Sequence, residues 1–250
     1  MRLVTEGQVA TITLDSPRNR NALSAALLTQ LDTALQRALG DASVRVVVLT
    51  GTGPVFCSGA DLKEAAASRA AAPALLGPVL QRIWDSGKPV VCRANGPARA
   101  GGIGLIAACD IALAPLSATF AFSEVRVGAA PAVISVTCLR RMAQRAAAEY
   151  FLTGATFDAR RAAEIGLVTR AVPDAELDAA TAGCVRDLLR GAPGALAATK
   201  SILREVPALS LGEGLGRMAG LSAERFASDE AREGMAAFAA RRDPDWVSPG

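Results

Sequence analysis

Hydrophobic and polar positions recur at two different periods along this chain, and the two periods trade places from segment to segment. MRLVTEGQVATITLD alternates through Val9, Thr11, Ile12, Thr13 and Leu14 and breaks at Glu6–Gly7. A period near two around a turn predicts a β-hairpin. SAALLTQLDTALQRALG places Leu27, Leu28, Leu31, Leu35 and Leu39 on one face at helical spacing. Ser24 is suited to cap that helix and Gly40 to end it. VRVVVLTG and KPVVCRANG are continuous apolar runs, as expected of strands buried on both faces. LKEAAASRAAA and LLGPVLQRIWDSG are expected to be helical, DIALAP and ATFAFSE to be strands, and most of the remainder to be helix apart from GLVTRAVP. Strands dominate early and helices late, with no linker, low-complexity tract or repeat. The pattern predicts an α/β core over residues 1–190 and a helical extension over 191–250. In that extension Leu209, Leu211, Leu215, Met218 and Leu221 would leave an apolar patch in water, so it is expected to self-associate.

Composition narrows the function. Of 250 residues, 51% are hydrophobic and 20% charged, which suits a large core and not disorder. The net charge is +3, no dense basic run occurs, and aromatics make up 4%, so nucleic-acid binding is not expected. The pairs Arg140–Arg141, Arg160–Arg161 and Arg241–Arg242 fit solvated helix faces. The chain has no histidine, which removes Ser-His-Asp and Cys-His catalysis and imidazole metal ligation together. Cys57, Cys92, Cys109, Cys138 and Cys184 are far apart with no CxxC pair, so neither a metal site nor a disulfide frame is expected, and a reducing cytoplasm suits them. The N-terminal segment lacks the character of a signal or transit peptide, and no apolar run reaches the ~18 residues of a membrane span. The expected location is therefore the cytoplasm.

Two strand-to-helix junctions carry the candidate chemistry. One is GTGPVFCSGADLKE, after the strand ending near Thr50; the other is ANGPARAGGIGLIAACD, after the strand ending near Ala94. In each, a glycine-rich turn opens a helix, and free N–H groups at a helix start favour an oxygen carrying negative charge. Two such N–H groups from different segments make an oxyanion hole. The second junction contains G-x-G-x-x-A at Gly102, Gly104 and Ala107, but NGPARA separates it from its strand, which weighs against a dinucleotide fold. The first lacks the Gly-Lys-Ser/Thr of a P-loop.

These segments, together with RNRNALS, ATFAFSEVRVG, FLTGATFDARRAAEIGLVTRAVP and EGMAAFAARRDPDW, resemble the crotonase, or enoyl-CoA hydratase/isomerase, superfamily in order and spacing. The nearest likeness is to bacterial hydratases of the methylglutaconyl- and carboxygeranoyl-CoA type. The resemblance implies an α/β fold built as a spiral of ββα turns, C-terminal helices that assemble trimers or hexamers, and an acyl-CoA thioester substrate with no separate cofactor. It places oxyanion-hole amides on Ala60 and Gly101. CoA contacts would come from Arg18, Arg20, Ala22, Ser58 and Leu62. Of the two glutamates usual in hydratases, one position is held here by Gly104; the other matches Glu124. A glutamate buried among Phe120, Phe122 and Val125 would have a raised pKa and shuttle a proton, whereas one paired with Arg126 would only be a strand-end charge. The resemblance points to an enoyl-CoA hydratase working with one glutamate. Its alternatives are an enoyl-CoA isomerase and a non-catalytic acyl-CoA-binding protein. Gly104→Glu is expected to restore a second carboxylate and raise hydration of simple 2-enoyl-CoAs.

Overall fold

Two antiparallel strands open the chain, β1 (Arg2–Glu6) and β2 (Val9–Leu14), with Gly7 at a positive φ in the turn between them. A computed structural model of the protein describes residues 1–61, 64 and 71–247. β2 then pairs in parallel with β3 (Val46–Gly51), and β3 with β4 (Val90–Arg93). β6 (Ile111–Pro115) and β9 (Arg170–Val172) complete a six-stranded sheet in the order β1-β2-β3-β4-β6-β9. The short strands β5 (Ala98–Arg99), β7 (Thr119–Ala121) and β8 (Phe157–Asp158) form a second sheet. The apolar runs of β3 and β4 are buried, as their lack of alternation predicts.

Helices cover the sheets. The first, α1 (Ala25–Gly40), is the one the leucine spacing predicts. Ser24 accepts a hydrogen bond from the Leu27 N–H, and Leu27, Leu28, Leu31 and Leu35 are buried. Gly40 is its last residue and Asp41 its C-cap. α2 (Ala71–Asp85) follows, starting earlier than its hydrophobic pattern suggests. Of the helix expected over residues 62–72, only Glu64, Ala71 and Ala72 are among the described residues; the Glu64 carboxylate accepts from the Ala25 N–H at the start of α1. α3 (Gly101–Ala108) is hydrophobic all round and wholly buried. α4 (Ala132–Cys138), which packs against it, α5 (Gln144–Thr153) and α6 (Ala159–Glu164) follow in the chain, and α7 (Leu177–Arg190) packs on the face of the large sheet that carries Val46, Val48, Val91 and Leu113.

The helical extension consists of α8 (Pro193–Glu205), α9 (Leu211–Phe226) and α10 (Asp229–Ala240). Its first helix is tied to the core through Lys200, whose buried ammonium donates to Asp110 Oδ2 at 2.7 Å, Ser86 Oγ at 2.8 Å and Ile83 O at 3.0 Å. Burial pulls the Lys200 pKa down against the pull of Asp110. Arg45, also buried, reaches from the start of β3 to the carbonyls of Gly191 and Trp246.

One basic pair does not behave as a solvated face. Arg140 is exposed, but Arg141 lies half-buried over the Trp84 ring, 4.6 Å from its centroid. Its guanidinium donates to Ala107 O at 3.1 Å and Cys109 O at 3.0 Å, satisfying carbonyls at the C-terminal end of α3.

Candidate active site

The two junctions meet. Residues 57–60 lie between the segment around Arg20–Leu23 and the segment around Pro97–Gly101. On one side the Ser58 N–H donates to Arg20 O at 3.0 Å and the Leu23 N–H to Gly59 O at 2.7 Å. On the other the Phe56 N–H donates to Pro97 O at 3.1 Å and the Arg99 N–H to Cys57 O at 3.0 Å. Single parallel bridges, Leu23 with Ala60 and Cys57 with Ala98, continue this pairing. Gly59 has a φ of +89°, and a Cβ there would stand 2.8 Å from the Ala100 Cβ, so no larger residue fits. Ala100 itself has φ +49° and ψ −122°, a strained conformation for a residue with a side chain. That strained residue is the N-cap of α3 and aims the first amides of the helix.

The predicted oxyanion donors, Ala60 and Gly101, therefore sit on adjoining segments. Among the described residues neither N–H donates to an acceptor. For Gly101 this follows from its place as the first residue of α3, where the backbone donor has no partner in its own helix.

Four of the predicted CoA-contact residues, Arg18, Arg20, Ala22 and Ser58, share one ledge beside Ala60. Arg18 and Arg20 are exposed, on and just after a single 3-10 turn (Pro17–Asn19). The Ser58 hydroxyl donates to Asn19 O at 3.2 Å, and Ala22 is buried with its carbonyl accepting from the Ser24 N–H. Leu62 lies outside the described residues. What holds the ledge is Asn21, which the sequence reading passes over. Fully buried at φ +56°, it donates Nδ2 to Val55 O at 2.9 Å and Thr52 O at 3.0 Å and accepts from the Ser16 N–H at 2.9 Å. Its signal was available: asparagine tolerates the left-handed region better than other residues with a side chain.

Glu124 is not at the end of a strand. β7 stops at Ala121, and Glu124 lies in a 3-10 helix (Ser123–Val127) that follows it. Behind that helix is an aromatic cluster in which Phe122 lies 4.1 Å from Phe151 and Tyr150 4.2 Å from Phe157, centroid to centroid. Phe120 and Phe122 are buried as expected, but Val125 is exposed. Among the described residues Glu124 makes no ion pair with Arg126, whose Nε donates instead to Thr153 O at 3.3 Å. The Glu124 Oε2 atom is buried with no hydrogen-bond partner. Burial pushes the Glu124 pKa up, opposed by a hydrogen bond from its own backbone N–H. Cys138 on α4 is near enough for the Glu124 charge to add to the burial that pushes its thiol pKa up.

Gly104 takes no carboxylate without rearrangement. A Cβ there would lie 2.4 Å from Ile134 Cγ2 and 2.9 Å from Ile134 Cβ, and the Thr137 hydroxyl ties α4 to Gly104 O at 3.3 Å. The expectation that Gly104→Glu restores a second acid meets a filled space.

A model of the enoyl-CoA hydratase/isomerase family matches residues 4–249. The chain belongs to that family. It is an enzyme of the enoyl-CoA hydratase or isomerase type, with the crotonase fold. A protein of Legionella pneumophila, described as an enoyl-CoA hydratase/isomerase (crotonase), superposes with a TM-score of 0.92 at 36% identity, covering 98% of each chain. The 2,3-dehydroadipyl-CoA hydratase of Escherichia coli is 33% identical over 96% of this chain and 95% of its own. The carnitinyl-CoA dehydratase of Proteus mirabilis is 33% identical over 98% of this chain and 97% of its own. No described helix is long and apolar enough to cross a membrane.

Proposed function

We propose that the protein adds water across the 2,3 double bond of an enoyl-CoA thioester, using Glu124 as its only acid–base group. The observation that carries this reading is the Glu124 Oε2 atom, buried and without a hydrogen-bond partner. The Ala60 and Gly101 N–H groups hold the thioester oxygen as it gains enolate charge. Glu124 takes a proton from water as the hydroxyl adds to Cβ. The same carboxyl then gives that proton to Cα, which restores the carbonyl and the carboxylate. Arg18, Arg20, Ala22, Ser58 and Leu62 are the proposed CoA side, and the substrate brings the only CoA that the reaction needs. The apolar faces of α9 and α10 are proposed to join copies of the chain into a trimer or a hexamer.

The lack of a carboxylate at Gly104 favours one further reading, isomerisation, because moving a proton from Cα to Cγ asks for a single base. A spectrophotometric screen against saturated, 2-enoyl, 3-enoyl and carboxylated enoyl-CoAs separates them. Hydration of a 2-enoyl-CoA supports the proposal. Conversion of a 3-enoyl-CoA without hydration supports isomerisation. Binding of CoA esters without turnover of any overturns both and leaves an acyl-CoA-binding protein.

A further inference from the structure

Position 104 and position 134 share one small volume, and the chain has given it to position 134. Gly104 lies one helical turn beyond Gly101, about 4.5 Å along the α3 axis at 1.5 Å per residue. That is the scale separating a thioester oxygen from the carbons at and beyond Cβ. Any side chain on residue 104 would run into the Ile134 side chain, which is itself buried. Ile134 and Cys138 are four residues apart on α4 and so lie on one face of it. Cys138 neighbours the Glu124 carboxylate. Ile134 therefore lies on the α4 face it shares with Cys138 and covers the α3 position one turn beyond the Gly101 amide.

We propose that Ile134 is a specificity-determining residue for the acyl group. Resting on the acyl-thioester assignment above, the proposal is that its methyl groups close the chamber over Gly104. They face Cβ and Cγ with hydrocarbon that is β-branched, stiff in χ1, and pinned by the α3–α4 contact. The acyl groups it admits are unbranched and apolar at those two carbons. A methyl branch at Cβ meets Ile134 directly, and a polar group at Cγ would be desolvated against it with no partner.

The test uses unreactive saturated ligands, so that it reads fit and not turnover. Calorimetric binding of butyryl-CoA and 3-methylbutyryl-CoA is measured on the wild type, Ile134→Val and Ile134→Ala. The wild type is expected to favour butyryl-CoA. Ile134→Ala is expected to move the affinity ratio toward the branched ligand by ~10-fold or more, since one methylene in a hydrophobic pocket discriminates by roughly 10–200-fold. Ile134→Val removes only Cδ1, keeps the branch at Cβ and the contact between helices, and is expected to move the ratio the same way by less than Ile134→Ala but by more than about twofold. General loosening would weaken both ligands and leave the ratio alone. If Ile134→Ala does not fold, Ile134→Val decides. A ratio in the folded variants within twofold of the wild type, with both ligands still bound, overturns the role of Ile134 and leaves the acyl-thioester assignment standing. A wild type that binds no CoA ester overturns that assignment and this proposal with it.

Discussion

The helix that opens the site and the helices that end the chain use hydrophobic residues in opposite ways. All eight residues of α3 are buried, and nothing larger than hydrogen fits at position 104 without a shift of Ile134. α9 has sixteen residues and buries one, Gly214, while Leu211 and Leu215 are 80% and 65% exposed; on α10, Phe238 is 87% exposed. Between α8, α9 and α10 runs a groove of about 350 Å³ lined in part by Phe226, Met235 and Trp246. The core has consumed the apolar surface of α3 within one chain. The apolar faces of α9 and α10 stay exposed, and exposed patches of this kind mark interfaces, which is the ground for proposing that they join copies of the chain. The tight region is where substitutions should cost chemistry or folding; the open region is where they should cost only assembly.

The largest effect is expected at the wall that α3 and α4 build with Glu124. Glu124→Gln keeps volume and hydrogen-bonding reach but accepts no proton, so turnover should fall by ~10³–10⁴-fold, the upper range for a general acid–base group. Binding of CoA esters should survive. Turnover within a few-fold of the wild type would remove the single-glutamate mechanism. Gly104→Glu comes next. It must displace Ile134 and bury a carboxylate, which together should cost ~3 kcal/mol or more of stability, read as a lower denaturation midpoint and poor recovery of folded protein. A folded Gly104→Glu enzyme with enhanced hydration would show that α3 is not as full as its contacts say.

Gly101→Val presses on flexible leucine ends, Leu23 Cδ1 at 2.7 Å and Leu76 Cδ2 at 3.3 Å from its Cβ, so the protein should fold. The branched side chain crowds the amide meant for the enolate oxygen. It should lower kcat by ~10²-fold while changing CoA-ester affinity less. In the open region, Leu215→Ser combined with Phe238→Ser should leave turnover chemistry intact and lower the mass measured by sedimentation from a trimer or hexamer to a monomer. A wild type that is already monomeric at micromolar concentration would break the contrast between the two regions.

The smallest effect is on pH. The Glu124 pKa is raised in the folded protein, so the native state favours its protonated form. Its contribution to stability is full below the ordinary carboxylate pKa of 4.5 and is lost as pH rises through the raised value. Two results follow. The acid limb of kcat/KM should have its midpoint above 4.5, since the base must be ionised. Glu124→Gln should melt slightly higher than the wild type at neutral pH, with the gain vanishing at acid pH.

Much of this molecule is written locally. The leucine spacing and Ser24 determine α1, the unbroken apolar runs determine β3 and β4, and the glycine cluster marks the start of α3. Family resemblance added which segments carry Ala60, Gly101 and Glu124. ATFAFSE looked like one strand because its apolar residues alternate, yet pairing with β5 and β8 ends at Ala121 and the chain turns into a 3-10 helix at Ser123. Two-residue strands such as β5 and β8 carry no period at all, so only their partners define them. Arg141 reads as one of a solvated pair until Trp84 and the end of α3 arrive beside it from earlier in the chain. Lys200 and Asp110 are ninety residues apart, and Gly104 and Ile134 thirty. Periodicity and turn chemistry act over a few residues, so the sequence by itself determined the elements and the types of group they carry. Close approach is settled by how finished elements pack, so only the tertiary structure decided that Glu124 has a buried, unpartnered oxygen and that the place of a second carboxylate is filled by Ile134.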